Sequence, residues 1–221
     1  MITKKILYWY DNNKRSLPWR IRCSTEKKEY FTLVSEFMLQ QTQVKTVIPY
    51  FNNFLKNIPN FQALAKVGEA KLFKHWQGLG YYSRAKNLKK SAKMIIDNYS
   101  GRLPNNFEEL KKLPGVGVYT ASAILAIVFN QQIIPLDGNI ERVLKRILNL
   151  KTEVEIKKEN LHKQKKIFGK TSRPGDYAQA LMEIGALLCK PKNPHCDMCP
   201  VIKNCLSFKK KDFEIKKKDK K

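Results

Sequence analysis

A glycine-containing turn that leads into an apolar helix is the feature that most constrains this chain of 221 residues. Residues 113–117 read Leu-Pro-Gly-Val-Gly, and an apolar run of helical length follows at 120–129. Gly115 and Gly117 have no Cβ, so the backbone there can take positive φ values and approach a ligand closely. The first turn of the following helix would direct free N–H groups and the positive end of its dipole at this turn. The pattern therefore predicts a binding site for a phosphate group.

The charge balance favours a polyanionic partner. Lys and Arg number 43 against 19 Asp and Glu, which is a formal net charge of +24 at pH 7. The lysine-rich end, 209–221, could be a solubilising tail, but basic residues also occur in the body of the chain, as at 86–90 and 142–146. Each Lys or Arg placed against a phosphate releases condensed counterions, so the excess favours nucleic acid.

The sequence shows neither the pattern of a membrane span nor that of a signal peptide. No run approaches the ~20 apolar residues that a membrane span requires. The charged N-terminus is not followed by the long apolar stretch of a signal peptide. We therefore expect a soluble protein of the cytoplasm, associated with the nucleoid.

Apolar residues recur at helical spacing along most of the chain, which predicts an all-α fold. Besides an amphipathic N-terminal helix, the segments with this spacing are 31–39, 61–73, 85–96, 107–113, 120–129 and 140–148. Pro and Gly residues separate them. We expect two helical subdomains that flank a cleft. The predicted divisions are a six-helix barrel over 21–134, a second unit from 1–20 and 135–208, and a disordered basic tail over 209–221.

Four of the five cysteines lie in one short segment, at Cys189, Cys196, Cys199 and Cys205. Four thiolates so close in sequence can surround a metal centre. A zinc site normally has two Cys-x2-Cys pairs with a longer spacer, and this segment has one such pair. Iron–sulfur clusters also bind thiolates. The spacing by itself leaves zinc and iron–sulfur open.

Three further segments carry a resemblance to a known family. They are VSEFMLQQTQV at 34–44, WQGLGYYSRA at 76–85 and LPWR at 17–20. With the glycine turn and the cysteine spacing, they run in order along nearly the whole chain. The sequence resembles the MutY-type adenine DNA glycosylases of the helix-hairpin-helix superfamily, whose cysteine loop holds one 4Fe–4S cluster. The resemblance implies an enzyme that removes adenine mispaired with 8-oxoguanine or guanine.

The resemblance also implies roles for individual residues. Glu36 would protonate the departing adenine at N7, and Asp137 would stabilise the oxocarbenium-like sugar. Asn139 would orient Asp137, and Tyr119 would hydrogen-bond Asp137 or the reaction centre. Tyr119 lies where endonuclease III-like enzymes carry a Schiff-base lysine, so a chiefly monofunctional glycosylase is expected. Glu141 stands where some relatives carry a lysine that can trap an abasic site, so residual lyase activity should be weak.

The remaining implied site residues form three sets. The residues matching the pocket for the flipped adenine are Arg15, Trp19, Leu39, Gln179 and Met182. The residues matching DNA contacts are Gln41, Thr42, Leu79, Tyr81, Gly115 and Gly117. The implied ligands of the 4Fe–4S cluster are Cys189, Cys196, Cys199 and Cys205. Within the second set, Gln41 and Tyr81 would wedge into the duplex where adenine leaves the stack.

The implied partner is double-stranded DNA with an adenine mispair, bound by a monomer without a membrane. Full-length relatives continue into a Nudix-like domain that recognises 8-oxoguanine, and this sequence lacks that domain. Two other enzymes of this fold are alternatives: a thymine-mismatch glycosylase and an endonuclease III-like glycosylase. A non-catalytic iron–sulfur DNA-binding module is a third, and it would need neither Glu36 nor Asp137.

Overall fold

A computed structural model describes residues 1–151 and 171–213. Within these ranges all regular structure is helical and no residue lies in a β-strand, which confirms the all-α prediction. The α-helices are α1 (Ile2–Asn13), α2 (Thr25–Leu39), α3 (Val44–Asn57), α4 (Phe61–Lys66), α5 (Glu69–Trp76), α6 (Tyr82–Tyr99), α7 (Phe107–Lys112), α8 (Val118–Ile127), α9 (Gly138–Leu148), α10 (Pro174–Leu187) and α11 (Leu206–Lys209). Pro18–Arg20 and Ile202–Asn204 are short 3-10 helices. In the described ranges no helix is both long and apolar enough to cross a membrane.

The described residues form two compact units. The central unit comprises Ser16–Phe129, and the terminal unit comprises 1–15 together with 130–151 and 171–213. The divisions at residues 20 and 134 that the sequence suggested stay a prediction. Most of the basic tail, at 214–221, lies outside the described residues.

Helix α2 is the core element of the central unit. It begins where the Ser24 side chain accepts a hydrogen bond from the Lys27 N–H, and it packs against α3, α6 and α8. Ten of its residues are buried, so it has almost no exposed face. The largest buried side chains around it are aromatic or aliphatic: Tyr30, Leu33, Phe37, Met38, Phe51, Phe54, Ile58, Leu64 and Trp76.

Three helical segments differ from the sequence-based expectation. Helix α3 was not predicted, because Pro49 lies inside it and a proline normally ends a helix. The helix expected over 61–73 is two helices, since Val67 is extended and Gly68 is the N-cap of α5. Helix α10 was also missed, although a proline occupies its first turn, where no N–H partner is needed.

The terminal unit is built on α10, which packs against both α1 and α9. The apolar side of α1 contributes Ile6, Trp9 and Tyr10 to one buried cluster with residues of α9 and α10. This cluster continues to Cys189 and Cys199, which pack against it. The cysteine segment therefore rests on the core of this unit.

Candidate active site

The glycine turn joins α7 to α8 and packs against α2. Gly115 has φ +82°, and a Cβ there would lie 2.8 Å from Phe37 Cε1 and 3.0 Å from Asn87 Cβ. Any other residue would therefore be strained and would displace its neighbours. Gly117 differs from the expectation, because its φ is −90° and a Cβ there would meet nothing within 4 Å. Of these two glycines, only Gly115 has a steric reason to be glycine.

Glu36 lies in the last turn of α2 and is buried, with 6% of its surface exposed. Its chain neighbours Phe37 and Met38 are fully buried. Gln40 Nε2 donates to the Gly115 carbonyl at 3.4 Å, which ties the end of α2 to the glycine turn. Burial of a carboxyl group disfavours its charged form, so this helix provides the kind of environment a general acid needs.

Asp137 is the N-cap of α9. Its Oδ1 accepts a hydrogen bond from the Ile140 N–H at 2.7 Å, and its Oδ2 accepts one from Asn139 Nδ2 at 3.2 Å. Burial raises the pKa of Asp137, while these hydrogen bonds oppose that rise. Asn139 donates to the carboxylate of the residue that caps the helix, so it orients Asp137.

Arg142 connects this carboxylate to the cysteine segment. Its Nη2 donates to Asn139 Oδ1 at 2.8 Å and to the Gly185 carbonyl at 2.7 Å, and its Nε donates to the Cys189 carbonyl at 2.7 Å. A Cβ at Gly185 would lie 2.7 Å from Asn139 Cβ, so α10 can approach α9 this closely only with glycine there. Sequence reasoning missed Arg142, although it follows Asp137 by five positions.

The four clustered cysteines line one cavity, together with apolar residues of α9 and α10. Burial, and then the nearness of Cys189, Cys205 and Cys196, raise the pKa of the Cys199 thiol to about 11. Arg146 Nη1 lies 3.5 Å from Cys189 Sγ. Within residues 1–151 and 171–213, however, no three His, Cys, Asp or Glu side chains are grouped closely enough to hold a single metal ion.

The residues predicted for the adenine pocket fall into both units. In the central unit Leu39 is half-buried, and Trp19 packs edge-on against Phe51 with ring centroids 5.3 Å apart. In the terminal unit Gln179 Nε2 donates to the Gly175 carbonyl at 3.2 Å. Met182 packs against the buried cluster of α1, α9 and α10.

Arg15 forms a two-point ion pair with Glu183. Its Nε and Nη2 donate to the two carboxylate oxygens at 2.7 and 2.8 Å, and Glu183 is fully buried. Sequence reasoning missed Glu183. The available signal was a lone acid within the apolar run 180–188, since a buried carboxylate needs a cationic partner.

The predicted DNA contacts lie in two loops of the central unit. Gln41 and Tyr81 are exposed, and both have left-handed backbones, with φ 57° and 46°. Thr42 is half-buried. Leu79 is buried, with 5% exposed, so its predicted contact with the opposite base has the least support from its position.

Comparison with known proteins places these features in one class. Residues 34–168 match the family described as the HhH-GPD superfamily of base excision DNA repair proteins. The chain belongs to this superfamily. Tyr119, half-buried in the first turn of α8, and Asp137 both lie within the matched range.

The more particular similarity is to proteins named adenine DNA glycosylase. The one from Buchnera aphidicola subsp. Schizaphis graminum is 39% identical over 100% of this chain and 64% of its own length. The one from Homo sapiens is 41% identical over 90% of this chain and 38% of its own length. The chain thus spans less than two thirds of these relatives.

Two solved structures are also similar. A thermostable thymine-DNA glycosylase has a TM-score of 0.80 at 26% identity, with 94% of this chain and 95% of that one covered. An endonuclease III in a non-covalent DNA complex has a TM-score of 0.70 at 24% identity, with 95% and 97% covered. The latter similarity concerns the fold alone.

Proposed function

We propose that this chain hydrolyses the N-glycosidic bond of adenine mispaired with 8-oxoguanine or guanine in double-stranded DNA. The observation that carries the proposal is the pair of differently held carboxyl groups. Glu36 is buried in an apolar helix, and Asp137 receives hydrogen bonds from Ile140 and Asn139. Burial disfavours the charged form of Glu36, whereas the hydrogen bonds to Asp137 favour its carboxylate and oppose the rise in pKa that burial causes. The relatives named adenine DNA glycosylase supply the substrate class.

The chemistry follows from these two states. Adenine is a poor leaving group, so Glu36 donates a proton to N7 as the glycosidic bond breaks. The sugar acquires positive charge, which the Asp137 carboxylate stabilises until a water molecule adds to the sugar carbon and loses a proton, which leaves the abasic site. Asn139 keeps the carboxylate oriented through its 3.2 Å hydrogen bond. The target adenine must first leave the base stack, and Gln41 and Tyr81 fill the space that it vacates.

Tyr119 makes the reaction monofunctional. A lyase reaction through an imine needs an amine nucleophile, and the phenol of a tyrosine cannot form an imine. The product is therefore an abasic site in an intact strand. Strand breakage then requires alkali.

The cysteine segment is proposed to hold one 4Fe–4S cluster through Cys189, Cys196, Cys199 and Cys205. These four thiols line one cavity, and thiolates are the ligands of iron–sulfur clusters. When bound, the cluster supplies a covalent link between parts of the loop rather than chemistry on the base. Arg142 and Arg146 bring positive charge to the thiolates.

The proposed partner is duplex DNA, and the protein acts as a monomer in the cytoplasm. The net charge of +24 supports binding to a polyanion. Leu79, Thr42, Gln41 and Tyr81 contact only part of the opposite base.

The deciding experiment incubates the purified protein with duplexes containing A:8-oxoG, A:G, T:G or thymine glycol. Released bases are identified chromatographically, and strands are sized before and after alkali. Adenine release from the first two duplexes with alkali-dependent breakage is expected. Thymine release from T:G instead would favour the second candidate, a thymine glycosylase, which the similarity to the thermostable thymine-DNA glycosylase brings forward. Breakage without alkali would contradict the monofunctional role of Tyr119.

A further inference from the structure

Arg84 is a buried arginine that no part of the proposed chemistry uses. It lies in the first turn of α6 and is 7% exposed. Its guanidinium occupies the space between two loops of the central unit. These are the α2–α3 loop, residues 40–43, and the α5–α6 loop, residues 77–81.

One guanidinium nitrogen contacts the α2–α3 loop and the end of α2. Nη1 contacts the carbonyl oxygens of Phe37 at 3.2 Å, of Met38 at 2.9 Å and of Gln40, and it contacts Thr42 Oγ1 at 3.2 Å. These carbonyls belong to the last turn of α2 and the residue after it, where no further helical N–H is available to them. A positive charge at a helix C-terminus is also favoured by the helix dipole.

The other guanidinium nitrogen binds the α5–α6 loop. Nη2 donates to the Leu79 carbonyl at 2.8 Å and to the Gly80 carbonyl at 3.1 Å. The guanidinium carbon also lies 5.6 Å from the ring centroid of Trp76 and 5.5 Å from that of Tyr81. Both distances are within the range of cation–π interactions. Arg84 thus contacts the backbone of both loops and the ring of Tyr81.

Each loop presents one exposed side chain from a left-handed backbone. Gln41 has φ 57° and Tyr81 has φ 46°. Such conformations are uncommon outside glycine, and they persist where surrounding contacts over-determine them. The carbonyl bonds from Arg84 are made to the residues directly before Gln41 and Tyr81, at Gln40 and Gly80.

We propose that Arg84 is a positioning residue that holds Gln41 and Tyr81 as one preformed wedge for entering the DNA duplex. The proposal rests on the proposed function, since it assigns the two loops a task within base extrusion. If the two loops are already ordered before DNA binds, less binding free energy is lost in ordering them. Lysine cannot replace Arg84, because a single ammonium nitrogen cannot reproduce the contacts that two guanidinium nitrogens make to two loops.

A positioning role and a purely structural role predict different behaviour of an Arg84 variant. They differ in how much its base excision slows on each duplex. An arginine needed only for stability would, when substituted, weaken action on every duplex alike. A wedge residue matters most where extrusion of the adenine is hardest. Extrusion is easier when the base opposite the adenine is missing, because less pairing and stacking is lost.

The test compares Arg84→Lys with Arg102→Lys under single-turnover conditions. Arg102 is the matched control, since its guanidinium binds buried Glu29 in the same unit through bonds of 2.7 to 3.2 Å. One duplex carries A:G and the other carries adenine opposite a tetrahydrofuran spacer. We expect Arg84→Lys to slow excision about 100-fold on A:G, as for a misplaced positioning group, and far less on the spacer duplex. Arg102→Lys should affect both duplexes equally. Equal defects of Arg84→Lys on both duplexes, or no defect, would overturn the proposal.

A second measurement needs no activity. Amide hydrogen exchange should rise in residues 40–43 and 77–81 together in Arg84→Lys, with α7 and α8 unchanged. Unchanged exchange in both loops would overturn the proposal. If the unsubstituted protein releases adenine from no duplex, the proposed function fails, whereas the exchange data still decide whether Arg84 holds the two loops.

A milder variant covers the case in which Arg84→Lys does not fold. Trp76→Phe removes the 3.1 Å bond from Trp76 Nε1 to the Gly80 carbonyl and leaves the α2–α3 loop contacts of Arg84 in place. Exchange should then rise at 77–81 only, with a smaller defect of the same substrate dependence. A defect equal on both duplexes would again count against the wedge.

Discussion

Asn139 accepts a hydrogen bond from Arg142 Nη2 at 2.8 Å with its amide oxygen. Its amide nitrogen donates to Asp137 Oδ2, so one side chain connects the candidate catalytic carboxylate to an arginine. Arg142 in turn binds the Cys189 carbonyl. The orientation of Asp137 therefore depends on contacts that reach the cysteine segment.

Glu36→Gln and Asp137→Asn should each abolish most turnover while DNA binding persists. General acid catalysis is typically worth ~10²–10⁴-fold, so a loss at least in that range is expected for Glu36→Gln. Single-turnover adenine release on A:8-oxoG measures it. Glu69→Gln, an exposed carboxylate on α5, is the control and should be neutral. Near-normal rates in either catalytic variant would refute the assigned role.

The stability effect of Asp137→Asn should depend on pH. Burial raises the pKa of Asp137 in the folded protein. A carboxyl group with a raised folded pKa contributes stability that is present below its unfolded pKa and is lost as pH rises through the folded pKa. As the pH rises from the unfolded pKa to the folded pKa of Asp137, the unsubstituted protein loses this stability and Asp137→Asn does not. The unfolding free energy of Asp137→Asn relative to the unsubstituted protein should therefore increase with pH. Denaturant unfolding at several pH values measures this difference.

Asp11→Asn is the control, because its relative stability should change with pH in the opposite direction. The hydrogen bond from Arg173 lowers the pKa of Asp11, so its contribution appears above the unfolded pKa and is lost as pH falls through the folded pKa. The relative stability of Asp11→Asn should thus decrease as pH rises. Parallel trends in the two variants would contradict the pKa assignment of Asp137.

Arg142→Lys should reduce both stability and turnover. Lysine cannot contact Asn139, Gly185 and Cys189 together, and a hydrogen bond that involves a charged group contributes about 1.5–3 kcal/mol. A loss of unfolding free energy in that range is expected, with slower single-turnover excision because Asp137 loses its oriented partner. Arg22→Lys, at an exposed arginine of the central unit, should change neither by much. Full activity in Arg142→Lys would show that the connection has no catalytic consequence.

Gly185→Ala should be destabilising because its Cβ would overlap Asn139. The contact distances of 2.7 Å to Cβ and 3.0 Å to the carbonyl oxygen require α9 and α10 to separate. Overpacking of this kind typically costs about 1–3 kcal/mol. Thermal and denaturant unfolding measure the cost, and turnover should fall with it. Gly138→Ala, where a Cβ meets nothing within 4 Å, should be tolerated.

The protein prepared without oxygen should be yellow-brown, with iron and sulfide in about a 4:4 ratio. Chemical analysis and visible absorbance measure this. Cys196→Ser should mainly reduce folding yield and DNA affinity, whereas Cys23→Ser in the central unit should leave the iron content unchanged. Stoichiometric zinc with no iron would refute the cluster assignment.

The sequence by itself determined the helical class and the candidate chemistry. Apolar spacing depends on neighbours three and four positions apart, so α2, α6, α8 and α9 could be predicted locally. The capping group at Asp137 and the glycine turn at 115 depend on local chemistry in the same way. Local signals also misled: Pro49 concealed α3, because surrounding packing tolerates a proline that an isolated helix would not.

Only the tertiary structure decided which side chains act together. Arg84 contacts residues 37–42 across more than forty positions, Arg142 contacts Cys189 across 47, and Arg15 pairs with Glu183 across 168. Charged side chains in a sequence look alike whether they face solvent or are buried. Their roles come from desolvation and from the acceptors that folding brings near, and neither is a property of the local sequence.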